Sequence, residues 1–401
     1  MSGAPARVLG RRCFRCGAGT GRGLFSQRFA RIEGGSVLDG YQVVACERCG
    51  TAFADGVPEQ AALDRYYREL SKYENPVTAG VESPADGERF AEVARELVPF
   101  VPPHARILEI GCAGGGLLAA LRDLGLPDVH GVDPSSACAA AAVRNHGLEA
   151  RAGTLWDTGH PPGSFDLVVL IAVLEHLRDV GRAMRALRAM LRPGGLLHLE
   201  VPDATRFAEF AEAPYQQFSV EHLNYFSPAS LAGLAAAHGF SPVASWRAVR
   251  EVGRQSREPV VAATFRLSDR PPDAPDDVDG PRALETYIAL SAQREAPLRR
   301  RAEAIAGRGE PLLVWSVGTQ ALRLVANTAL GEAPIVAFVD SNPRYVGKSV
   351  RGRPIVSPND LAGRLEPILI ASTNYEREIL STIRERLRLG NDVLTLAGDG
   401  S

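Results

Sequence analysis

Lysine, clustered positive charge and long apolar stretches are all scarce in this chain of 401 residues. The longest basic run is Arg299–Arg301 and the formal net charge is -2, so the chain lacks the clustered positive surface that nucleic-acid binding favours. Apolar runs such as Leu167–Leu174 are too short to span a bilayer. The first arginines are not followed by the apolar segment of a secretory signal. We therefore expect a cytoplasmic protein with no nucleic-acid or membrane partner.

Cysteine is rare too, yet four of the six cysteines form two matched C-x-R-C-G pairs. Two cysteines at this spacing can bind one metal ion from a tight turn, and the glycine after the second relieves that turn. We expect one structural zinc site with four thiolate ligands, which are Cys13, Cys16, Cys46 and Cys49. Iron on the same ligands, two disulfides and free thiols are the alternatives, although the lack of an export signal disfavours disulfides. Turn signals at Gly34–Gly35 and Asp39–Gly40 predict a zinc ribbon with hairpins between its metal-binding turns.

The glycine spacing of dinucleotide-binding folds, G-x-G-x-x-G, is not met at the main glycine-rich turn. There the apolar stretch Ile107–Ile110 runs into glycines at 111, 114, 115 and 116, and a helical pattern follows. Further along, Asp133 ends a second apolar stretch, where a carboxylate can accept hydrogen bonds from ribose hydroxyls. Glu109 would repel a pyrophosphate but attract a cationic ligand. The pattern predicts a nucleotide-binding cleft; an α/β domain whose glycine turn binds nothing is the alternative.

The stretches E-I-G-C-A-G-G-G (109–116) and G-V-D-P (131–134) resemble the first motif and the next acidic strand of class I S-adenosylmethionine (SAM) methyltransferases. Residues Phe165–Val169 and Leu191–Gly195 are similar to the fourth strand of that family and to the turn before its next strand. The four motifs occur in the family's order. The resemblance implies SAM as the cofactor and a Rossmann-like domain around it.

The same resemblance implies a set of cofactor-binding residues. Glu109, Gly111 and Gly114 would line the methionine and ribose side, and Asp133 would hold the ribose diol. Leu155 or Trp156 would pack on adenine, although Trp156 as a core residue is the alternative, and Asp157 could accept from the adenine amino group. Cys112 is expected to be a small packing residue rather than a nucleophile. The full implied set is Glu109, Gly111, Cys112, Gly114, Asp133, Pro134, Leu155, Trp156 and Asp157.

Two further segments carry candidate catalytic groups. His176 lies in L-E-H-L after the fourth strand, at the expected mouth of the cleft, where it either faces the methyl group or merely fixes the loop. Glu221 and His222 lie on a loop just before a helix that Ser227 caps and Pro228 begins. We expect His222 to be the general base, assisted by Glu221, with His176 as a second candidate. Tyr66, Tyr67 and Tyr73 lie in a helical lead-in (59–100) and either pack in the core or reach the substrate.

Taken in order, the parts of the chain resemble the zinc-ribbon-containing nucleotide-sugar C-methyltransferases. The fold class is α/β, with an N-terminal zinc ribbon, a central Rossmann-like methyltransferase domain and a smaller Rossmann-like domain at the C-terminal end. The resemblance implies a nucleotide-linked deoxysugar or a related glycan or natural-product intermediate as the small-molecule substrate. That family has a tyrosine where this chain has Ser219. O- or N-methylation of a sugar or secondary metabolite, and a non-catalytic SAM-binding scaffold, are the alternatives.

Composition and patterning predict the domain boundaries. We expect the zinc ribbon at 1–60, the SAM-binding domain at 61–265, an exposed Pro- and Asp-rich linker at 266–282 and the C-terminal α/β domain at 283–401. The C-terminal domain has a single glycine, Gly318, in its first strand-to-helix turn. It is therefore expected to bind the nucleotide or carrier part of a sugar substrate, or to support structure or dimerisation, rather than to hold a second cofactor. The sequence does not set the oligomeric state.

Overall fold

The computed structural model describes residues 6–70, 83–252, 256–270, 272–273 and 275–397. The chain divides into two compact units. Unit 1 contains Met1–Leu24, Val44–Phe210 and Glu221–Leu284. Unit 2 contains Phe25–Val43, Ala211–Val220 and Glu285–Ser401. The sequence predicted consecutive domains, whereas these units group two short inner segments with the C-terminal part.

A five-stranded sheet forms next to the two cysteine pairs. In spatial order its strands are β1 (Arg7–Val8), β2 (Thr20–Arg28), β4 (Gly40–Cys46), β5 (Ala52–Asp55) and β11 (Asn224–Tyr225). The first pair lies in the loop between β1 and β2, and the second pair begins at the last residue of β4. The antiparallel pairing of β11 with β5 sets Asn224 opposite Phe53. A distant segment of the chain thus completes the sheet that the N-terminal residues begin.

The central sheet of unit 1 has seven strands, with a parallel part and an antiparallel edge. In spatial order they are β12 (Phe240–Val252), β13 (Ser256–Leu267), β10 (Leu191–Pro202), β9 (Phe165–Ile171), β6 (Ile107–Ile110), β7 (Val129–Asp133) and β8 (Glu149–Ala152). Strands β6 to β10 run parallel, and β13 and β12 pair antiparallel. The helices of unit 1 are α1 (Gln60–Leu70), α2 (Pro84–Leu97), α3 (Gly116–Asp123), α4 (Ser136–His146), α5 (Val180–Met190) and α6 (Pro228–Ala237).

Helices cover both faces of this sheet. On one face α5 and α6 pack with Leu170 and Leu199 in one apolar core. On the other face α2, α3 and α4 pack with Ile107 and Val169 in a second core. Parallel strands buried on both faces read as continuous apolar runs, which is why Ile107–Ile110 and Leu167–Leu170 carry so few polar residues. The predicted Rossmann-like α/β class is confirmed.

The order of the strands reverses between β6 and β9. From β6 the chain builds β7 and β8 on one side, then crosses to build β9 and β10 on the other. In open parallel sheets ligands bind outside the carboxyl ends of the strands at such a reversal. Here those ends continue into the glycine-rich turn after β6 and the Ala172–Leu177 segment after β9.

Helix α6 shows how local sequence sets an element. Ser227 is its N-cap and accepts from the Ser230 N–H, while the Ser230 hydroxyl accepts from the Ser227 N–H. Pro228 is the first helical residue, and Gly239, with a φ of 82°, follows the end of the helix. The predicted cap is confirmed. It fixes where the chain leaves the loop that carries Glu221 and His222.

Unit 2 is a smaller α/β unit. Its sheet, in spatial order, contains β19 (Val393–Thr395), β18 (Ile368–Ile370), β14 (Leu312–Trp315), β15 (Ile335–Val339), β17 (Arg353–Val356), β16 (Ser349–Val350) and β3 (Ile32–Glu33). Its helices are α7 (Asp279–Ala306), which starts in unit 1, α8 (Thr319–Asn327) and α9 (Glu376–Ser381). The strands from β14 to β18 that contain Leu313, Val339 and Ile370 build its core.

One expectation about exposure differs from the structure. Asp277, in the predicted exposed linker, is buried, because its N–H donates to the Cys49 carbonyl and its carboxylate accepts from the Gly280 N–H. Arg299 and Arg301 do not project freely from α7, since each donates to a carbonyl, of Asn327 and Thr395 respectively. Among the described residues, none of the helices combines the length and apolar character needed to cross a bilayer.

Candidate active site and four-cysteine centre

The glycine-rich turn after β6 needs glycine at residue 111 for two reasons. Its φ is 80°, in the left-handed region that side chains disfavour. A Cβ there would also lie only 2.5 Å from the Cγ2 atom of Val173. The glycine therefore lets the segment after β9 approach the turn closely. This contact brings the two carboxyl ends of the sheet reversal together.

Asp133 ties the end of β7 to the same turn. Its Oδ2 accepts from the Ala113 N–H at 2.9 Å, and its Oδ1 accepts from the Ser135 N–H at 2.8 Å. The carboxyl is buried, and burial raises its pKa above the ordinary value. Each oxygen can still accept a further hydrogen bond, so the predicted role on the ribose diol fits the geometry.

Four other predicted cofactor residues surround this turn. Glu109 is buried in β6, Gly114 is buried in the turn and Pro134 is half-buried after β7. Cys112 is buried, and burial raises the pKa of its thiol well above the ordinary value. A Cβ at Gly131 would lie 2.7 Å from the Cys112 sulfur. A protonated, enclosed thiol fits the predicted packing role and does not suit a nucleophile.

The predicted adenine-side residues occupy three different environments. Leu155 is part of an apolar core, while Trp156 is half-buried against the same core. The Arg182 guanidinium lies 4.2 Å from the Trp156 ring centre, and the Trp156 indole N–H donates to Asp64 at 3.4 Å. Asp157 is exposed. Arg182 covers one face of the Trp156 ring, so adenine stacking would have to use the other.

The predicted catalytic residues come together. His176 is buried, and its Nδ1 lies 3.0 Å from the Glu221 carbonyl oxygen. Its ring centre is 5.1 Å from that of His222. The potential ligand atoms of Glu175, His176 and His222 all lie within 4.8 Å of one another. Residues from the turn after β9 and from the loop before α6 therefore form one cluster.

Two tyrosines of α1 complete this cluster. The Tyr66 hydroxyl donates to Glu221 Oε1 at 3.2 Å. The Tyr67 ring centre lies 5.7 Å from that of His176. Tyr73, the third tyrosine of the lead-in, lies outside the described residues. Ser219 belongs to unit 2, where its carbonyl accepts from the Tyr41 hydroxyl at 2.8 Å.

The sequence alone did not single out Glu175 as a member of this cluster. Its carboxylate is buried beside His176, with 3.7 Å between Glu175 Oε1 and His176 Nε2. The sequence does place Glu175 directly before His176, and a carboxylate next to a histidine in a short helical turn can lie close to the imidazole ring. Arg11 and Asn224 were also missed, and both lie beside this cluster.

The four cysteines of the matched pairs meet at one point. The distances are 3.6 Å between the sulfurs of Cys13 and Cys49 and 3.5 Å between those of Cys16 and Cys46. All four sulfurs lie within 4.8 Å of one another, and none is in a disulfide. A tetrahedral zinc site with Zn–S bonds of about 2.3 Å needs sulfurs about 3.8 Å apart. The donor set therefore fits a zinc ion.

The two cysteine turns have matching backbones. The Gly17 N–H donates to the Cys13 carbonyl at 2.8 Å, and the Gly50 N–H donates to the Cys46 carbonyl at 2.9 Å. Both glycines have a positive φ, of 73° and 74°. The glycine after each pair thus allows a turn that aims both sulfurs in one direction.

The similarity to curated proteins covers most of the chain in one case and less than half of it in another. The chain is 27% identical to the C-methyltransferase NovU of Streptomyces niveus, over 89% of this chain and 86% of that protein. It is 31% identical to the ubiquinone biosynthesis O-methyltransferase of Bradyrhizobium diazoefficiens, over 42% of this chain and 64% of that protein. The chain thus spans a little under two thirds of the second relative.

A solved structure and a family model also match parts of this chain. The Burkholderia thailandensis 1,6-didemethyltoxoflavin-N1-methyltransferase, solved with bound 1,6-didemethyltoxoflavin and S-adenosylhomocysteine, has a TM-score of 0.41 at 18% identity, and the match covers 56% of this chain and 97% of that chain. Residues 85–245 match the family model described as a methyltransferase domain. This span holds the glycine turn, Asp133 and the His176–His222 cluster. Residues 85–245 of this chain therefore form a methyltransferase domain.

Proposed function

We propose that this enzyme transfers the methyl group of SAM to a carbon atom of a nucleotide-linked deoxysugar. The observation that supports C-methylation is the extent of similarity. The likeness to a C-methyltransferase runs over 89% of the chain, whereas the ubiquinone biosynthesis O-methyltransferases match 26% to 43% of it. Similarity over that length includes regions beyond the cofactor domain, which a shared methyl donor alone does not require.

The residue cluster suits removal of a proton from carbon. SAM supplies an electrophilic methyl group when it is bound, with Glu109, Gly111, Gly114 and Asp133 as the proposed holding residues. In this proposal the His222 imidazole takes a proton from the carbon next to the sugar carbonyl, and the electron pair remains on the substrate as an enolate. General-base assistance of this kind contributes roughly 10²–10⁴-fold.

Glu221 and Tyr66 assist that base in the proposal. Glu221 directly precedes His222 in the chain, and its proposed role is to orient the His222 imidazole. The Tyr66 hydroxyl donates to Glu221 Oε1 and restricts where that carboxylate points. The Tyr66 phenol of α1 therefore lies near the Glu221–His222 pair. Residue 219 itself is a serine, where the resemblance implied a tyrosine.

Unit 2 repeats the strand-end arrangement of unit 1, which supports nucleotide binding there. Asp340 follows β15, and its Oδ2 accepts from the Val317 N–H at 3.0 Å while its Oδ1 accepts from the Asn342 N–H at 2.8 Å. Asp133 makes the corresponding pair of bonds in unit 1. We therefore assign the nucleotide part of the substrate to the loop after β14.

The four-cysteine centre is proposed to hold structural zinc. Four thiolates fill a tetrahedral shell and leave no position for substrate or water. Its contribution is then to the fold of the N-terminal sheet and not to the transfer of the methyl group.

A screen of nucleotide-linked keto-sugars with SAM tests this function. Mass spectrometry should detect a product heavier by one methylene and S-adenosylhomocysteine, and NMR should place the new methyl group on carbon. The His222→Ala variant should lower turnover by roughly 10²–10⁴-fold while SAM affinity is retained. If NMR places the new methyl group on oxygen, the proposed C-methylation is wrong and O-methylation takes its place, as in the names of the ubiquinone biosynthesis relatives. Near-normal turnover of His222→Ala would refute the assignment of His222 as the base.

A further inference from the structure

We propose that Asn224, held by Arg11, is a positioning residue that sets the geometry of the His176, Glu221 and His222 cluster. Asn224 lies two residues after His222, in β11, and is 3% exposed. Its side-chain amide donates to the carbonyl of Leu174 at 2.9 Å and to that of Leu177 at 2.7 Å. These two carbonyls flank Glu175 and His176. A single side chain therefore joins the loop before α6 to the turn after β9.

Backbone bonds place the same two segments in register. The Leu223 N–H donates to the Glu175 carbonyl at 2.7 Å, and His176 Nδ1 lies 3.0 Å from the Glu221 carbonyl oxygen. The Asn224 amide adds side-chain hydrogen bonds at both ends of the Leu174–Leu177 turn. Without it the turn could rotate, and the His176 ring would shift relative to His222.

Arg11 fixes the orientation of the Asn224 amide. Its Nη2 donates to the Asn224 Oδ1 at 2.5 Å, which directs the NH₂ group of the amide to the two carbonyls. The Arg11 side chain is buried, which limits the positions its guanidinium can take. The Asp55 carboxylate accepts from the Arg11 backbone N–H at 3.0 Å and holds the start of the cysteine loop.

This arrangement gives the four-cysteine segment a role in the active site. Arg11 lies two residues before Cys13, and β5 pairs with β11 through Phe53 and Asn224. The N-terminal sheet therefore presents both the guanidinium and the strand that hold Asn224. Its role is to orient groups that act on the substrate, without touching the substrate itself.

The test uses the full chain and three variants. Asn224→Asp keeps the shape and the acceptor for Arg11 but loses both N–H donors; Arg11→Gln loses the charge and keeps a donor. Asn359→Ala, at an exposed position of unit 2, is the control. We expect Asn224→Asp to lower kcat by roughly 10²-fold, as misplacement of a catalytic group does, with the SAM Kd and zinc content unchanged. Arg11→Gln should show a smaller loss in the same direction.

A second measurement keeps the inference independent of the substrate. The ¹⁵N-histidine NMR spectrum should show shifted His176 and His222 resonances in Asn224→Asp, and unchanged ones in Asn359→Ala. The inference rests on the proposed function, and the outcomes separate the two. If the wild-type enzyme methylates no sugar, the proposed function fails, while the NMR shifts still report the positioning. Unchanged kcat and unchanged histidine resonances in a folded Asn224→Asp variant would overturn the inference.

Discussion

Gly111 combines a left-handed backbone conformation with a close contact to Val173 in the glycine-rich turn of the proposed cofactor site. Replacing it with alanine forces a side chain into left-handed backbone, which costs about 1–2 kcal/mol, and brings a Cβ against Val173. We expect Gly111→Ala to weaken SAM binding about tenfold or more. Isothermal titration calorimetry measures this directly.

Gly87 provides the matched control for that substitution. It lies in α2 with an ordinary φ, and a Cβ there would meet nothing within 4 Å. Gly87→Ala should therefore leave SAM binding unchanged and leave stability equal or higher by about 0.5–1 kcal/mol. Equal SAM affinities for the two alanine variants would show that the Gly111 turn does not shape the cofactor site.

Single residues also show where the sequence was sufficient and where it was not. The glycine turn and Asp133 could be predicted because each signal lies within a few residues of the element it serves. The bond of Tyr66 to Glu221 joins residues 155 positions apart, and no local pattern encodes that meeting. The catalytic roles of His176, Glu221 and His222 remain predictions, although the structure brings these side chains together.

Strands β10 and β13 enclose a histidine that makes their pairing sensitive to acid. His198 lies opposite Thr264, with 3.0 Å between His198 Nδ1 and Thr264 Oγ1. Burial, and secondarily the charge of Arg250, lowers the pKa of His198 to about 3. The unfolded chain takes up a proton at this residue near pH 6.5, so the folded state loses stability as pH falls from there towards 3.

We expect the unfolding free energy to decrease by up to about 1.4 kcal/mol per pH unit below pH 6.5 from this residue. His198→Phe removes the titrating group and keeps a ring of similar size in the strand. Urea unfolding at pH 7.5 and pH 5 measures the effect. The loss between the two pH values should be smaller in His198→Phe than in the wild-type protein, and an equal loss would contradict the assignment.

At the level of elements, the predictions succeeded where local chemistry decides. Ser227 and Pro228 predict the start of α6 correctly, because a cap is a contact within one turn. The pairing of Ile32–Glu33 with Ser349–Val350 could not be predicted, since both strands are short and lie in distant parts of the chain. The burial of Asp277 in the linker could not be predicted for a similar reason, because its contact with the distant Cys49 forms only in the folded unit.

The expected zinc ligands come from two separate parts of the chain, one before β2 and one at the end of β4. Metal content therefore reports on the folded molecule as a whole. We expect purified protein to contain one zinc ion for each chain, measurable by elemental mass spectrometry. Cys46→Ser should lose the metal and lower the melting temperature, because a structural zinc contributes directly to folding. Cys138→Ser, a buried cysteine of α4 outside the quartet, should keep the zinc. Retained metal in Cys46→Ser would argue against four-thiolate binding.

The interleaved course of the chain bears on how such enzymes can be recombined. Unit 2 takes in Phe25–Val43 and Ala211–Val220 besides its C-terminal part. Within it, Tyr287 accepts from the Gln217 N–H, and β3 pairs with β16. Grafting the C-terminal residues of another enzyme after Leu284 would therefore leave these two inner segments facing foreign surfaces. An exchange of substrate preference between relatives has to move three pieces of gene at once, which favours variation by point substitution over shuffling of whole domains.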